Sequence, residues 1–349
     1  MSILQKSSIP KYSNKQKFKG NSVFPFYLVL LFALLVISFS LSLIFGSVKV
    51  SLPEFFRSLI NGSTNSIDYR IIAFVRLPRA FGGLLAGGAL AVAGVIIQAV
   101  LHNPMAAPNI IGVNSGAGLA AVILITLFPA MISFLPLAAF IGAVAACLII
   151  YAFSSKSGAD RVTITLVGIA VSSILNSAIN LIKTVFPDSV YDADLFMIGG
   201  FSSVTMQRIL PAGILIISGI TVSLFVAKDI DVLSLGDETA KSLGMNVKAI
   251  KLLLLVLASL LAGAAVSFAG LLGFVGLVVP HIARKLFGTN HRRLVISSAL
   301  MGAILVLLCD LFGRIIVAPY EISVGIILSF IGGPFFILLI LSERRRFYD

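Results

Sequence analysis

Long apolar runs, broken at Pro, Gly or clusters of charge, dominate the chain. Ten can be placed, at about 24–46, 80–101, 109–128, 133–153, 162–182, 208–227, 249–270, 272–287, 294–313 and 322–342. Most approach the ~20 residues that a helix rising 1.5 Å per residue needs to cross a hydrocarbon core of about 30 Å. The pattern predicts an all-α polytopic membrane protein with ten transmembrane helices. The two shortest runs, beginning near 109 and 272, are candidates for broken or partly re-entrant helices. Lipid tolerates those only where protein or a water-filled cavity surrounds them.

Composition sharpens the class. Of 349 residues, 58% are hydrophobic and 11% charged, against about 25% charged in an ordinary soluble domain. With a mean hydropathy of +1.08, a soluble globular protein is excluded. The formal net charge of +12 would suggest a nucleic-acid partner in a soluble chain; here it fits loops facing the cytoplasm and anionic membrane lipid, and nucleic acid is set aside. Residues 1–23 form a basic tail carrying Lys6, Lys11, Lys15, Lys17 and Lys19, and the run from Phe24 ends without a clear small-residue cleavage site. A retained first span is expected rather than a signal peptide. With that tail inside, all but eight of the 26 Lys and Arg fall on the cytoplasmic side. This predicts a single multi-pass domain over 24–342 in the cell (plasma or inner) membrane, with both termini, including the tail 343–349, cytoplasmic.

One internal repeat stands out. Leu84–Gly94 reads LLAGGALAVAG and Leu260–Gly270 reads LLAGAAVSFAG, seven of eleven positions identical at an offset of 176. Small-residue spans resemble one another by composition, because small side chains let helix backbones approach. In the ten-span topology, however, the two copies cross in opposite directions, the relation of an inverted repeat in a transporter.

Little here suggests chemistry on the chain itself. Cys147 and Cys309, the only cysteines, sit in apolar runs as small buried hydrophobes, and His102, His281 and His291 are solitary, so neither a disulfide framework nor a metal site is expected. No phosphate-binding loop is present: the nearest approach, GDETAKS at 236–242, lacks the second glycine whose amides would wrap a phosphate. No catalytic residue and no resident cofactor are expected; any ATP and Mg would belong to a separate ATPase. Ionisable groups are missing from mid-span, which weighs against an ion-coupled carrier. Asp310 and Arg314 form an i, i+4 pair near an outer span end.

Four motifs remain: RLPR at 76–79; HNPMAAPN at 102–109 followed by GVNSGAG at 112–118; GLLGFVGLVVPHIAR at 270–284; and Asp310 to Arg314, with PYEISVG at 319–325 and GGPFF at 332–336. Together they resemble the permease family of ABC importers for iron-siderophore, haem and vitamin B12 uptake, the FecCD/BtuC type, from about residue 24 to 342. Ser323 departs from it, since the family usually has Pro after Glu-Ile. The resemblance implies a type II ABC importer permease fold with an inverted repeat. It also implies a second permease subunit, identical or paralogous, two ATPase subunits, an extracytoplasmic binding protein and, most often, a ferric siderophore as cargo. Arg76, Arg79 and Arg314 would dock the binding protein; as span-end arginines they could equally snorkel to lipid phosphate. Within a cytoplasmic segment at about 229–247, Leu235, Gly236, Glu238, Ala240, Leu243 and Gly244 would seat in the ATPase, although a solvated surface helix has the same periodicity. Asn103 and Met105 would narrow the inner mouth as a gate, or form a merely structural turn. The alternative overall is a stand-alone ion-coupled secondary transporter or channel.

Overall fold

The computed structural model describes residues 20–51, 53, 66–156 and 161–345, and it is helical nearly throughout. The elements are α1 (Gly20–Ile44), α2 (Ile67–Arg70) leading through a π-helical turn (Ile71–Arg76) into α3 (Leu77–Val100), α4 (Val113–Leu127), α5 (Leu135–Lys156), α6 (Arg161–Val185) and the short α7 (Val190–Ile198). They continue as α8 (Met206–Phe225), α9 (Ala227–Leu233), α10 (Asp237–Ser242), α11 (Val247–Ala269), α12 (Val275–Phe287), α13 (His291–Ile315) and α14 (Val324–Arg345).

Each of the ten apolar runs is a helix, but they are unequal. Among the described residues, seven helical stretches are long and apolar enough to cross a membrane, the longest being the 34 residues of Ile67–Val100. Residues 113–127 and 324–339 are shorter apolar helices, and α12 has 13 residues, about 20 Å at 1.5 Å per residue. The run expected from 272 is broken as anticipated: residues 270–274 are unwound. Beside them lies a cavity of about 610 Å³ lined by Asn114, Leu271, Gly273, Ser329 and Phe330, the shelter such backbone requires. The basic tail 1–19 and the last residues 346–349 lie outside the described residues.

Helices α3 and α11, which carry the two copies of the repeat, form the centre, while α1 and α6 expose most of their apolar surface. Hydrophobic contrast cannot hold helices together in lipid, so close backbone approach matters. A Cβ on Gly87 would fall 2.2 Å from the Gly302 carbonyl oxygen, and one on Gly94 would fall 1.9 Å from that of Gly276. Only hydrogen fits at these crossings.

The two copies run in opposite directions. Phe268, near the end of α11, borders Gly82 near the start of α3, whereas the end of α3 and the start of α11 both meet the α9–α10 segment through His102 and Lys251. Their partners are exchanged between repeats. Helix α3 packs antiparallel on α13, with Gly87 against Gly302 and Arg79 bonded to Asp310. Helix α11 packs antiparallel on α5, with Gly263 against Ala143 and Cys147 Sγ donating to the Leu255 carbonyl at 3.6 Å.

Candidate functional site

At one end of the bundle three guanidinium groups converge. The π-helical turn adds a residue to the helical register ahead of α3, and Arg76 closes it; Arg79 follows one turn later on the same face. Arg76 Nη1 donates to the carbonyls of Leu43 (2.8 Å) and Ile44 (2.6 Å), and Nη2 to that of Val48. Arg314 Nη1 reaches the Ser42 (3.2 Å) and Phe45 (3.3 Å) carbonyls, and its Nη2 the Ser42 hydroxyl at 2.7 Å. The last turn of a helix leaves its carbonyls without partners and carries partial negative charge. Two guanidinium groups from other helices therefore cap α1.

Acids complete the cluster. Asp310 Oδ1 accepts from Arg79 Nη2 at 2.9 Å, and its Oδ2 lies 3.0 Å from Arg314 Nε as an ion pair without a hydrogen bond. Glu321, in the loop before α14, takes Arg79 Nη1 at 2.7 Å and the Ser47 hydroxyl at 3.0 Å. Burial pushes the Glu321 carboxyl up, but the bond and charge of Arg79 outweigh it and hold the group below the usual carboxylate range.

Arg76, Arg79 and Arg314, expected from the resemblance to dock a binding protein, pack inside the chain in this geometry. Arg76, Arg79 and Arg314 are 3%, 6% and 2% exposed, and their Nη groups are engaged within the chain, while Arg79 Nε is buried without a hydrogen-bond partner among the described residues. They neither snorkel nor present free forks. Placement at span ends was readable from hydropathy; the α1 carbonyls and Glu321, which absorb them, come from segments whose proximity only the fold creates.

At the opposite end, the segment expected as one amphipathic helix is two short ones, α9 and α10, separated at Gly236, where φ is +109°. Gly244, at φ +86°, closes α10. Both conformations are costly for any residue with a Cβ. The breaks turn Leu235 and Leu243 outward, 63% and 64% exposed, with Glu238 exposed beside them. Ala240 points the other way and is fully buried, on the side of the segment that packs against the body of the protein.

The turn after α3 lies on this same end. His102 adopts φ +47°, Asn103 Oδ1 accepts the Met105 backbone N–H at 2.9 Å, and Asn103 is exposed while Met105 is half-buried. Asn103 lines a cleft of about 790 Å³ together with Gln98, His102, Asp231, Arg284 and Asn290. Arg284 Nη2 donates to Gln98 Oε1 at 2.9 Å across it. Sequence reasoning passed over Gln98 and Asp231; each is one polar residue in ordinary surroundings, with no local signal to single it out.

Residues 34–342 match the FecCD transport family, and the chain belongs to it. It is a multi-pass membrane protein and the membrane-spanning permease subunit of an ABC importer. Among its relatives, the hemin transport system permease protein HmuU of Yersinia pestis is 37% identical over 297 residues, 83% of this chain and 89% of that one. The Fe(3+)-citrate import system permease protein YfmD of Bacillus subtilis is 37% identical over 322 residues, 91% of this chain and 96% of that one. A metal-chelate type ABC transporter solved in an inward-facing conformation superposes with a TM-score of 0.79 at 27% identity, covering 91% of this chain and 99% of that chain.

Proposed function

We propose that this chain moves an iron chelate, of the ferric siderophore class, inward across the membrane, driven by ATP hydrolysed on a separate ATPase that seats on α9 and α10. A second permease subunit would complete the path and an external binding protein would deliver the cargo. The observation that carries the reading is the pair of outward leucines, Leu235 and Leu243, presented between two positive-φ glycines. Exposed leucines beside a charged rim suit a groove on a partner protein better than solvent. The relatives, named for hemin and for Fe(3+)-citrate, support an iron chelate as cargo. On this reading the α9–α10 end is cytoplasmic, and Asn103 and Met105 border the inner mouth as its gate. Arg76, Arg79 and Arg314 serve the outer docking face by holding the frame beneath it rather than by pairing across it.

Co-expression with the neighbouring ATPase tests the seat. The parent chain is expected to co-purify with it, and L235E/L243E to lose about 2 kcal/mol or more of association, roughly 30-fold in affinity, as buried interface anchors do. Undiminished association of the double variant overturns the seat. Uptake that survives ATP depletion while the ion gradient is held would favour an ion-coupled carrier.

A further inference from the structure

Among the described residues, polar links at three points fasten the α9–α10 segment to the body of the protein, each at an end of a different long helix; the first includes Asn290 Nδ2 donating to Asp231 Oδ2 at 3.5 Å. Asp231 on α9 accepts both the backbone N–H of His291 (2.9 Å) and its Nδ1 (2.6 Å) at the start of α13. The carbonyl of Leu233 lies 2.8 Å from His102 Nε2, just past the end of α3. A carbonyl only accepts, so that ring nitrogen is the donor. Asp237, which opens α10, accepts from Lys251 Nζ at 2.6 Å on α11. Two of the donors are buried, Lys251 at 3% and His291 at 5% exposed, and His102 is half-buried. All three links fall between residues 231 and 237, directly beside the outward Leu235.

The helices so fastened include both copies of the repeat, α3 and α11. Two of them, α3 and α13, are further locked together by the Gly87–Gly302 crossing and, at the far end, by the Arg79–Asp310 bond. Close-packed pairs of this kind do not deform continuously; they shift as units.

We propose that Asp231–His291, Leu233–His102 and Asp237–Lys251 form a three-point mount that carries displacement of the α9–α10 segment into α3, α11 and α13, and along the α3–α13 pair to the opposite end of the molecule. The proposal rests on the ATPase seat argued above. The six residues are positioning residues, acting through the segment they fasten. If the links served only to keep the segment folded, their loss would lower the melting temperature yet leave transmission intact in every complex that assembles.

The test uses the full chain in complex with its ATPase, with spin labels at positions 128 and 317. Both positions are exposed, and both lie at the far end. Mg-ATP trapped with vanadate is the probe. In the parent complex the trapped nucleotide is expected to change the distance between the labels. In D231A, which removes the acceptor of every bond at that link, and in K251M that change should shrink at least about threefold while hydrolysis stays within about twofold of the parent, the size of effect that residues along a coupling route produce. D231N keeps an acceptor oxygen toward His291 and should retain more of the change. Where D231A fails to assemble, Asp231→Glu, which lengthens the link by one methylene, is read in the same way. An undiminished distance change in these variants overturns the mount, as does a parent complex that hydrolyses ATP with no movement at the labels. A parent chain that captures no ATPase overturns the seat instead.

Discussion

Asp310 is 2% exposed and lies between the guanidinium groups of Arg79 and Arg314. One carboxylate thus neutralises two buried cations, and Glu321 shares the load only from the side of Arg79. Removing one member of a buried ionic set leaves an uncompensated charge, which costs about 3–5 kcal/mol. Asp310→Asn is therefore expected to destabilise the protein by about that amount in detergent melts. Arg79→Lys, which keeps the charge but cannot fork between Asp310 and Glu321, should cost less. Melting of D310N at the parent temperature would show that the cluster is energetically neutral. Changing Arg76, Arg79 and Arg314 to Glu should likewise impair folding itself, since α1 loses its capping donors. Glu321 adds a pH dependence. Its folded value is depressed by Arg79, so its contribution is fully present above the ordinary Glu value of about 4.3 and fades as pH falls through the lower folded value. The melting difference between the parent and Glu321→Gln should accordingly be larger at neutral pH than in acid. An equal difference at both would remove the ion pair from the account.

At the scale of helices, glycine decides the architecture. The Gly94–Gly276 crossing brings α3 to α12 so closely that a Cβ has no room, and Gly94→Ala forces two backbones apart. Overpacking of this kind costs about 1–3 kcal/mol. The melting temperature should fall accordingly, whereas alanine at Gly333, where nothing lies within 4 Å of the added Cβ, should leave it unchanged. Equal stability of the two variants would mean that the crossing relaxes freely. The small-residue repeat at 84–94 and 260–270 was legible in the sequence because the same packing demand acts on both copies. The apolar runs were legible because lipid imposes length and composition. Two features were not. Hydropathy puts the start of the second span near 80, because Arg70, Arg76 and Arg79 interrupt it; the helix begins at Ile67, with Arg70 exposed and the charges of Arg76 and Arg79 absorbed by distant carbonyls and carboxylates. The helix Val190–Ile198 is nine residues long with two Asp, too short and too polar for a span signal.

Across the whole molecule, the exchanged pairing of α3 with α13 and of α11 with α5 means that neither repeat encloses its own helices. The first repeat leaves the Gly87 and Gly94 faces of α3 bare, together with Arg79. The second leaves bare the Gly302 face of α13, the Gly276 face of α12 and the Asp310 carboxylate. A buried charge without its partner in a bilayer is costly, and close-packed glycine faces have no equally good lipid substitute. A chain cut between Gly244 and Met245, at an exposed glycine with open space around it, therefore divides the protein along this interlock while severing little local structure. Each fragment also begins on the side proposed as cytoplasmic, so both can insert in the native direction. Expressed together, 1–244 and 245–349 are expected to recover a complex that co-purifies through a tag on either one; expressed alone, each should be degraded or aggregate. Adding Asp310→Asn to the second fragment should weaken recovery more than it weakens the intact chain, because covalent connection no longer holds the pair at high effective concentration. Fragments that accumulate separately and stay apart when co-expressed would show that the exchanged contacts follow from chain connectivity rather than holding the two repeats together.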